Sequence, residues 1–581
     1  MLRSSSPFTS SPIPSPPGRL ANWRLVFVLG LFVLEYLLFA AYLRVNVTPY
    51  HPVNFDQLVT YNVVYDAYFS LRRDGLTSAP AAIAGIQARA FKGWVVPTLG
   101  LISTVVFGPH RSSVALVNFA FFVCGQLAVW GFVRAWHGPA AGMLAWGLFL
   151  LGGTHYFWAG GLDDLRVDYA GMVVFGVGFL LLVSFVREPS ATRFWTCLLA
   201  FAAALSTRSI TMVYFLGTLA LLLLLFSLQY AWGRRDEGHR RRVRLLSLLF
   251  AGVLLEVGVF GLLHWRRFAG YYLGLKFGPE DSIRKAEMGA STLRDMLLYY
   301  PRSAVQHFSP YLIVGAVLAA YLLFEWVRSR ALTGSAPKPR GTGSFWLVLT
   351  VFGATALAVY APLTLYSPSP VVIGVLTIPI VAVFATALTE GFEWLKPAIG
   401  LKTVAVAVAI AGLASYADAT VRPRFLAAVA RVEAAAAVNR CFKDLERIAR
   451  ASGESLVVYW MLVHPGFHPL ALNVYLYEHG AEALVAKFRP SRGRIFQATE
   501  AELLENLRRA DVVVAYAQMP PARGFEYPFV TSLRRLQPVW RPYLTREFVR
   551  VRSYDIGVGR GSLGLYVRPG TGAASSLRTS P

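Results

Sequence analysis

Apolar and polar positions fall into long blocks along most of this chain. Apolar runs of about 17–22 residues, the length that crosses a bilayer core as a helix, begin near Leu25, Ser112, Pro139, Tyr169, Thr211, Arg244, Pro310, Phe345, Val371 and Leu401. The block from Phe194 to Trp232 would measure near 58 Å as one helix, about twice a bilayer core. It is expected to fold back at Ser206-Thr207-Arg208-Ser209, which makes eleven spans in all. A shorter apolar stretch, Trp94 to Gly108, contains Pro97 and two glycines. At roughly 22 Å as a helix it is predicted to be interfacial or re-entrant.

The pattern changes after Asp418, where no long apolar run follows. Helices are predicted over Leu426 to Ala451 and Ala501 to Arg509. Buried strands are predicted over Ser455 to Trp460 and Asp511 to Tyr516, with Phe548 to Val551 and Leu563 to Val567 as a closing pair. The expected organisation is therefore a disordered N-terminus (1–24), a transmembrane domain (25–418), an α/β domain (419–569) and a flexible tail (570–581). No internal repeat, phosphate-cradling glycine loop or zinc motif is visible.

Composition fits a polytopic α-helical membrane protein. The chain is 55% hydrophobic and 15% charged, with a mean hydropathy of +0.48. Its net charge of +24 reads as positive-inside loops and attraction to anionic membrane lipids, and not as nucleic-acid binding, since no nucleic-acid module accompanies it. Cys124, Cys197 and Cys441 are far apart and suggest neither a disulfide framework nor a metal site. Asn46-Val47-Thr48 matches a glycosylation sequon, a short and common pattern.

Charge sets the expected orientation in the plasma (inner) membrane. The basic loops at 233–242 and 328–340, with Arg134 to His137 and Arg187 to Arg193, belong to the cytoplasmic side, as does the N-terminus with Arg3, Arg19 and Arg24. Counting outward puts the loops at 46–111 and 265–309, the Arg208 turn and the whole C-terminal domain outside. Asp56 and the trio Asp163, Asp164 and Asp168 then share the outer face, provided that Trp94 to Gly108 does not cross.

Those acids are the candidate chemistry. Charge near a bilayer is costly and tends to mark function or pairing. Asp56 follows the first span, and the trio immediately precedes a later one. The alternatives are a solvated acid, a helix cap, or acids complementing a helix dipole. The first outer loop also carries Tyr61, Tyr65, Tyr68 and Lys92, and reads as short amphipathic helices on the membrane surface. The second carries Tyr271, Tyr272, Arg284, Lys285 and His307. The tyrosines suit an interfacial belt as well as substrate contact, and basic side chains at a membrane edge also snorkel. His51, His155 and His307 read as loop or interfacial residues.

The order of these features resembles the GT-C superfamily of integral-membrane glycosyltransferases, in particular bacterial protein O-mannosyltransferases and aminoarabinose transferases. The resemblance covers roughly 25–310. It rests on Asp56 in the first outer loop, Phe91-Lys92-Gly93-Trp94-Val95-Val96-Pro97, Phe107-Gly108-Pro109, the Arg134–Gly138 turn, the acids at 163–168, and Ala203-Ala204-Leu205-Ser206-Thr207-Arg208. Departures are Phe55-Asp56-Gln57, where relatives often carry two adjacent acids, and the placing of Pro97 away from Lys92.

The resemblance implies a polyprenyl-phosphate sugar as donor and a glycan, lipid or protein acceptor on the outer face. Asp56 would be the general base, with Asp163, Asp164 and Asp168 assisting or binding acceptor. Lys92, Arg208, Arg284 and Lys285 would bind donor phosphate, and Tyr271 and Tyr272 would contact substrate. No cofactor is expected, although acids bind a divalent cation in the oligosaccharyltransferase branch. The rival classes are a transporter or lipid flippase, which tends to carry internal repeats and midplane charges, and a non-catalytic assembly protein.

Overall fold

The computed structural model describes residues 19–47, 55–90, 92–153, 161–232, 237–290, 292–333, 343–365, 369, 372–421, 425–463, 467–491, 498–521, 526–556 and 561–570. Residues 1–18 and 571–581, together with His51 and His155, lie outside this set. So do the side chains of Asp56, Tyr271 and Tyr272, although their backbones are described.

The chain is a multi-pass membrane protein. Among the described residues, nine helices are long and apolar enough to cross a membrane. Helix α1 (Arg19–Tyr42) is followed by α2 (Phe55–Asp74), α3 (Ala79–Arg89) and α4 (Val95–Phe107). The bundle continues through α5 (Arg111–His137), α6 (Pro139–Leu150), α7 (Val167–Arg187), α8 (Ala191–Thr207) and α9 (Thr211–Ala231). It closes through α10 (Glu237–Phe277), α11 (Pro279–Glu287), α12 (Leu293–Thr333), α13 (Gly343–Leu365), α14 (Thr377–Leu395) and α15 (Leu401–Val421). Of the eleven expected spans, α6 and α8 fall short, with 12 and 17 residues. The predicted fold-back at 206–209 is the turn between α8 and α9.

Small residues and one polar network draw the bundle together. A Cβ on Gly147 of α6 would stand 2.7 Å from the Ala409 backbone of α15, so only a glycine allows this approach. Buried Glu35 of α1 accepts from Gln126 Nε2 of α5 at 2.8 Å, and its carbonyl accepts from the Tyr416 hydroxyl of α15 at 2.9 Å. Gln126 in turn accepts from Trp146 Nε1 of α6 at 2.5 Å. Four helices are thus tied together through one buried polar network.

Helix α4 does not cross the bundle. Its first end is fixed where Trp94 N donates to Ser206 O at 3.0 Å, beside the α8–α9 turn. Its last carbonyl, Phe107 O, accepts from Ser113 Oγ at the start of α5. Two turns after Arg111, Asn118 of α5 holds the loop that precedes α7. Both ends of α4 therefore lie at one end of the bundle. One face buries Leu101 against Val63, Ala67 and Ile86, while Ile102, Val106 and Phe107 remain exposed.

Two expectations need correction. The stretch 265–309 is not mainly a loop: α10 runs on for 41 residues, about 60 Å, until Gly278-Pro279 stops it, and α12 begins already at Leu293. Nothing in 266–277 breaks a helix, so propagation continues past the apolar run. Likewise, α2 is not a surface helix. Tyr61 and Tyr65 are buried against the C-terminal domain, sharing a core with Tyr475, Leu476 and Phe467.

The C-terminal domain starts with α16 (Phe425–Ala451) and forms a five-stranded sheet. Its strands are β1 (Leu456–Met461), β2 (Phe488–Ser491), β3 (Val512–Gln518), β4 (Val549–Asp555) and β5 (Ser562–Val567). The order is β2-β1-β3-β5-β4, with β1 parallel to β2 and β3, and an antiparallel closing pair β4–β5. Helices α17 (Pro469–Glu478), α18 (Glu500–Arg509), α19 (Pro528–Arg535) and α20 (Gln537–Glu547) complete it. A capping box starts α18, where Thr499 and Glu502 satisfy each other's backbone N–H groups. Strand β2 was not foreseen because Pro490 argues against a strand; at a sheet edge the missing N–H is tolerated.

Candidate functional site

Two sequence motifs that stand more than a hundred residues apart are stitched together by their backbones. Trp94 N donates to Ser206 O, and Ser209 N donates to Lys92 O at 2.8 Å. Between these bonds lies Gly93, where a Cβ would stand 1.8 Å from Thr207 O. No other residue fits so close a backbone crossing. Lys92 and Arg208, both expected to bind phosphate, are thereby held side by side along the chain.

Arg208 is aimed by α7. Its stem crosses Gly171, where a Cβ would meet Arg208 Cβ at 2.5 Å. One turn earlier, Asp168 pairs with the guanidinium at 2.8 Å, with the side chains 17% and 11% exposed. Low exposure makes this pair a fixed one, since a surface pair would be screened and mobile. Asp168, expected among the catalytic acids, is thus committed to Arg208.

The other two acids of the trio have different partners. Asp164 accepts from Arg166 Nε at 2.7 Å and from Arg166 N at 3.1 Å, and both side chains are buried. Its carbonyl and that of Leu162 accept from Asn118 Nδ2 at 2.9 and 3.1 Å. Asp163 instead accepts from the Tyr42 hydroxyl at the end of α1, at 2.9 Å. The three acids therefore occupy three environments, and Asp163 stands nearest the end of the first span.

Asp56 opens α2, and its side chain lies outside the described residues. The helix it opens does meet the acid loop. Burial pushes the Tyr61 phenol well above its ordinary range; Arg111 opposes this, and the carboxylates of Glu478, Asp164 and Asp163 add to it. Tyr61 therefore lies within electrostatic reach of Asp163 and Asp164, and it shares an apolar core with Leu165, Val167 and Ala170, so α2 and the start of α7 meet at one end of the bundle.

Arg284 and Lys285 stand on a different element. Lys285 pairs with buried Asp281 at 2.5 Å within α11. The same helix reaches the C-terminal domain where the Tyr527 hydroxyl donates to Glu287 at 2.8 Å. Burial, that hydrogen bond and the Glu287 charge push the Tyr527 phenol up to about 12, with Arg284 opposing. Tyr271 and Tyr272 lie on the last two turns of α10. His307 is buried in α12 and is not a loop residue.

Among the described residues, no three His, Cys, Asp or Glu side chains gather as a metal ion would require. Several site residues escaped sequence reading. Asn118 is, with Gln126, one of two amides in an apolar span, where an amide signals a buried hydrogen-bond role. Arg166 sits inside the acid motif itself. Tyr42 and Gly171 carry no local signal, because their roles arise only from what packs across them.

The fold as a whole is similar to that of ArnT from Cupriavidus metallidurans bound to undecaprenyl phosphate. The TM-score is 0.50 at 13% sequence identity, covering 95% of this chain and 99% of that one. The Archaeoglobus fulgidus oligosaccharyltransferase, solved in complex with zinc and sulfate, gives a TM-score of 0.42 at 12% identity over 84% of this chain and 67% of that one. No protein-family model and no curated protein sequence matches the chain. Over most of its length the chain therefore shares the fold of that solved ArnT structure.

Proposed function

We propose that this protein is a glycosyltransferase that moves a sugar from a polyprenyl-phosphate donor to an acceptor hydroxyl on the outer face of the membrane. The observation that carries the reading is the seam between Lys92 and Arg208, with Asp168 aiming the arginine and the acid loop beside it. The likeness to ArnT, which was solved with undecaprenyl phosphate, adds support for a lipid-phosphate ligand.

The chemistry asks for these residue types. The bond between the anomeric carbon and the phosphate oxygen breaks, and a bond to the acceptor oxygen forms. The phosphate leaves with the bonding pair, so its charge grows in a poorly solvated site. A guanidinium fork held by Asp168, with the Lys92 ammonium on the neighbouring strand of the seam, stabilises that charge with little reorganisation. The acceptor proton passes to a carboxylate. Asp56 is assigned this role as general base, and Asp163 and Asp164 shape the acceptor side. Asp168 orients Arg208 and does not take the proton. Arg284, Lys285, Tyr271 and Tyr272 are assigned to closing over the donor from α11 and the end of α10.

The deciding experiment is transfer of labelled sugar from a panel of polyprenyl-phosphate donors by purified protein in lipid nanodiscs, with cell-envelope extract as acceptor. Label should move to acceptor with wild type. Asp56→Asn should lower the rate at saturating donor by 10²-fold or more, the scale of general-base catalysis. Full activity in that variant removes Asp56 from the role. Uptake into vesicles without any transfer would favour a transporter instead.

A further inference from the structure

The C-terminal domain carries a buried acid that the proposed chemistry does not use. Glu478 ends α17 and accepts from Arg111 Nε at 2.9 and 3.0 Å, one bond to each oxygen. It also accepts from Arg111 N at 3.2 Å and from the Tyr65 hydroxyl at 3.1 Å. Arg111 and Glu478 are only 8% and 9% exposed. Arg111 is the first residue of α5, where a helix N-terminus favours an anion. One carboxylate from the C-terminal domain therefore binds α5 and α2 together.

The neighbouring residues repeat the arrangement. Asn62 Nδ2, one turn before Tyr65 on α2, donates to Leu470 O of α17 at 2.9 Å. The Tyr477 hydroxyl donates to Asp66, which also pairs with Arg89 of α3. Rings of Phe69 and Tyr477 stack with centroids 5.2 Å apart. Asn62, Tyr65, Asp66 and Phe69 recur at helical spacing, so one whole face of α2 is spent on α17.

Helix α5 then carries the arrangement to the acid loop. Arg111 and Asn118 are seven residues apart, two turns on one face. The first holds Glu478, and the second holds the carbonyls of Leu162 and Asp164. Tyr61 of α2 shares an apolar core with Leu165 and Val167, within electrostatic reach of Arg111, Glu478, Asp164 and Asp163.

We infer that Glu478 is a positioning residue: it fixes the distance between α2, which opens with Asp56, and the 163–168 loop carried by α5. This rests on the proposed role of Asp56. Near-attack geometry is sensitive to shifts of about 1 Å, and a carboxylate shared by two helices holds them to that tolerance where apolar packing alone permits sliding. On this account the C-terminal domain is a part of the transferase machinery, and not a separate binding module.

Two readouts test it on the full-length protein in nanodiscs. The first is the distance distribution between spin labels at Arg73→Cys on α2 and His110→Cys at the start of α5, both exposed positions, in a Cys124→Ala background. Glu478→Ala should broaden or shift this distribution, and Tyr65→Phe, which loses a single hydroxyl, should do so less. The second is transfer kinetics. Glu478→Ala should lower kcat by 10-fold or more with the donor KM within about 2-fold, while Glu478→Gln, which still accepts hydrogen bonds, should recover part of the rate. If Glu478→Ala does not fold, Tyr65→Phe and Asn62→Ala carry the same comparison with milder losses. A distribution as narrow as wild type and unmoved in these variants overturns the inference, as does a loss confined to KM. Absence of transfer by the wild-type protein itself would instead overturn the proposed function, leaving the distance measurement to decide this one.

Discussion

At the scale of single residues, the site is governed by pairing and by close approach. Asp168 and Arg208 form one unit, so removing either charge leaves the other partly buried and unbalanced. Asp168→Asn should therefore act through the arginine: the apparent donor KM should rise by about 10-fold, with a smaller fall in kcat, in steady-state transfer assays. Arg208→Lys should not substitute, because an ammonium lacks the planar fork that can hold Asp168 and a phosphate oxygen together. Gly93 is equally intolerant. Gly93→Ala places a methyl 1.8 Å from Thr207 O, and forcing the seam apart should cost about 1–3 kcal/mol. A lowered unfolding temperature in detergent, with loss of transfer, would register it. Of these residues, Lys92, Arg208 and the acids were legible as charges at the mouths of spans. Their partners were not, since nothing local in Asp168 distinguishes a base from a carboxylate that steadies an arginine 40 positions away.

At the scale of elements, α4 and α17 carry the arrangement. Reporters fused between α3 and α4 and between α4 and α5 should report the same side of the membrane, since both ends of α4 meet one end of the bundle; opposite sides would mean that it crosses. Helix α17 begins with His468, whose Nδ1 accepts from Leu470 N at 3.1 Å. Burial lowers the His468 pKa from 6.5 to about 4. The unfolded chain then binds a proton below pH 6.5 that the folded chain refuses until about pH 4. Stability from this group is full above pH 6.5 and declines as pH falls toward 4, by on the order of 2–3 kcal/mol. Thermal unfolding between pH 7 and 4 should show that decline, and His468→Asn, which can still cap the helix, should flatten it. Periodicity and length made α16, α18 and the buried strands readable. Helices α17 and α19, and strand β2, lack an independent signal, and α10 outran its apolar run because only Gly278-Pro279 stops it.

At the scale of the whole molecule, the C-terminal domain covers the first loop helix, and the two share one apolar core. Ending the chain after Val421 should expose Leu58, Tyr61, Val64 and Tyr65 together, so the truncated protein should aggregate or lose transfer even though the nine long apolar helices of the described residues remain. Retained transfer would show that the core is dispensable. Alkaline phosphatase joined after residue 570 should be active, and a fluorescent protein there dark, if the positive-inside rule sets the orientation as proposed. By itself the sequence determined the class of protein, the number of long apolar segments to within two, and the change to an α/β domain after Asp418. Each of these follows from composition and period, which are sums over neighbours in the chain. Only the tertiary structure decided which charges meet. The Lys92–Arg208 seam, the commitment of Asp168 to Arg208, and the grip of Glu478 on Arg111 and Tyr65 all join residues far apart in sequence. Such contacts depend on how helices turn and pack against one another, and no local pattern encodes that.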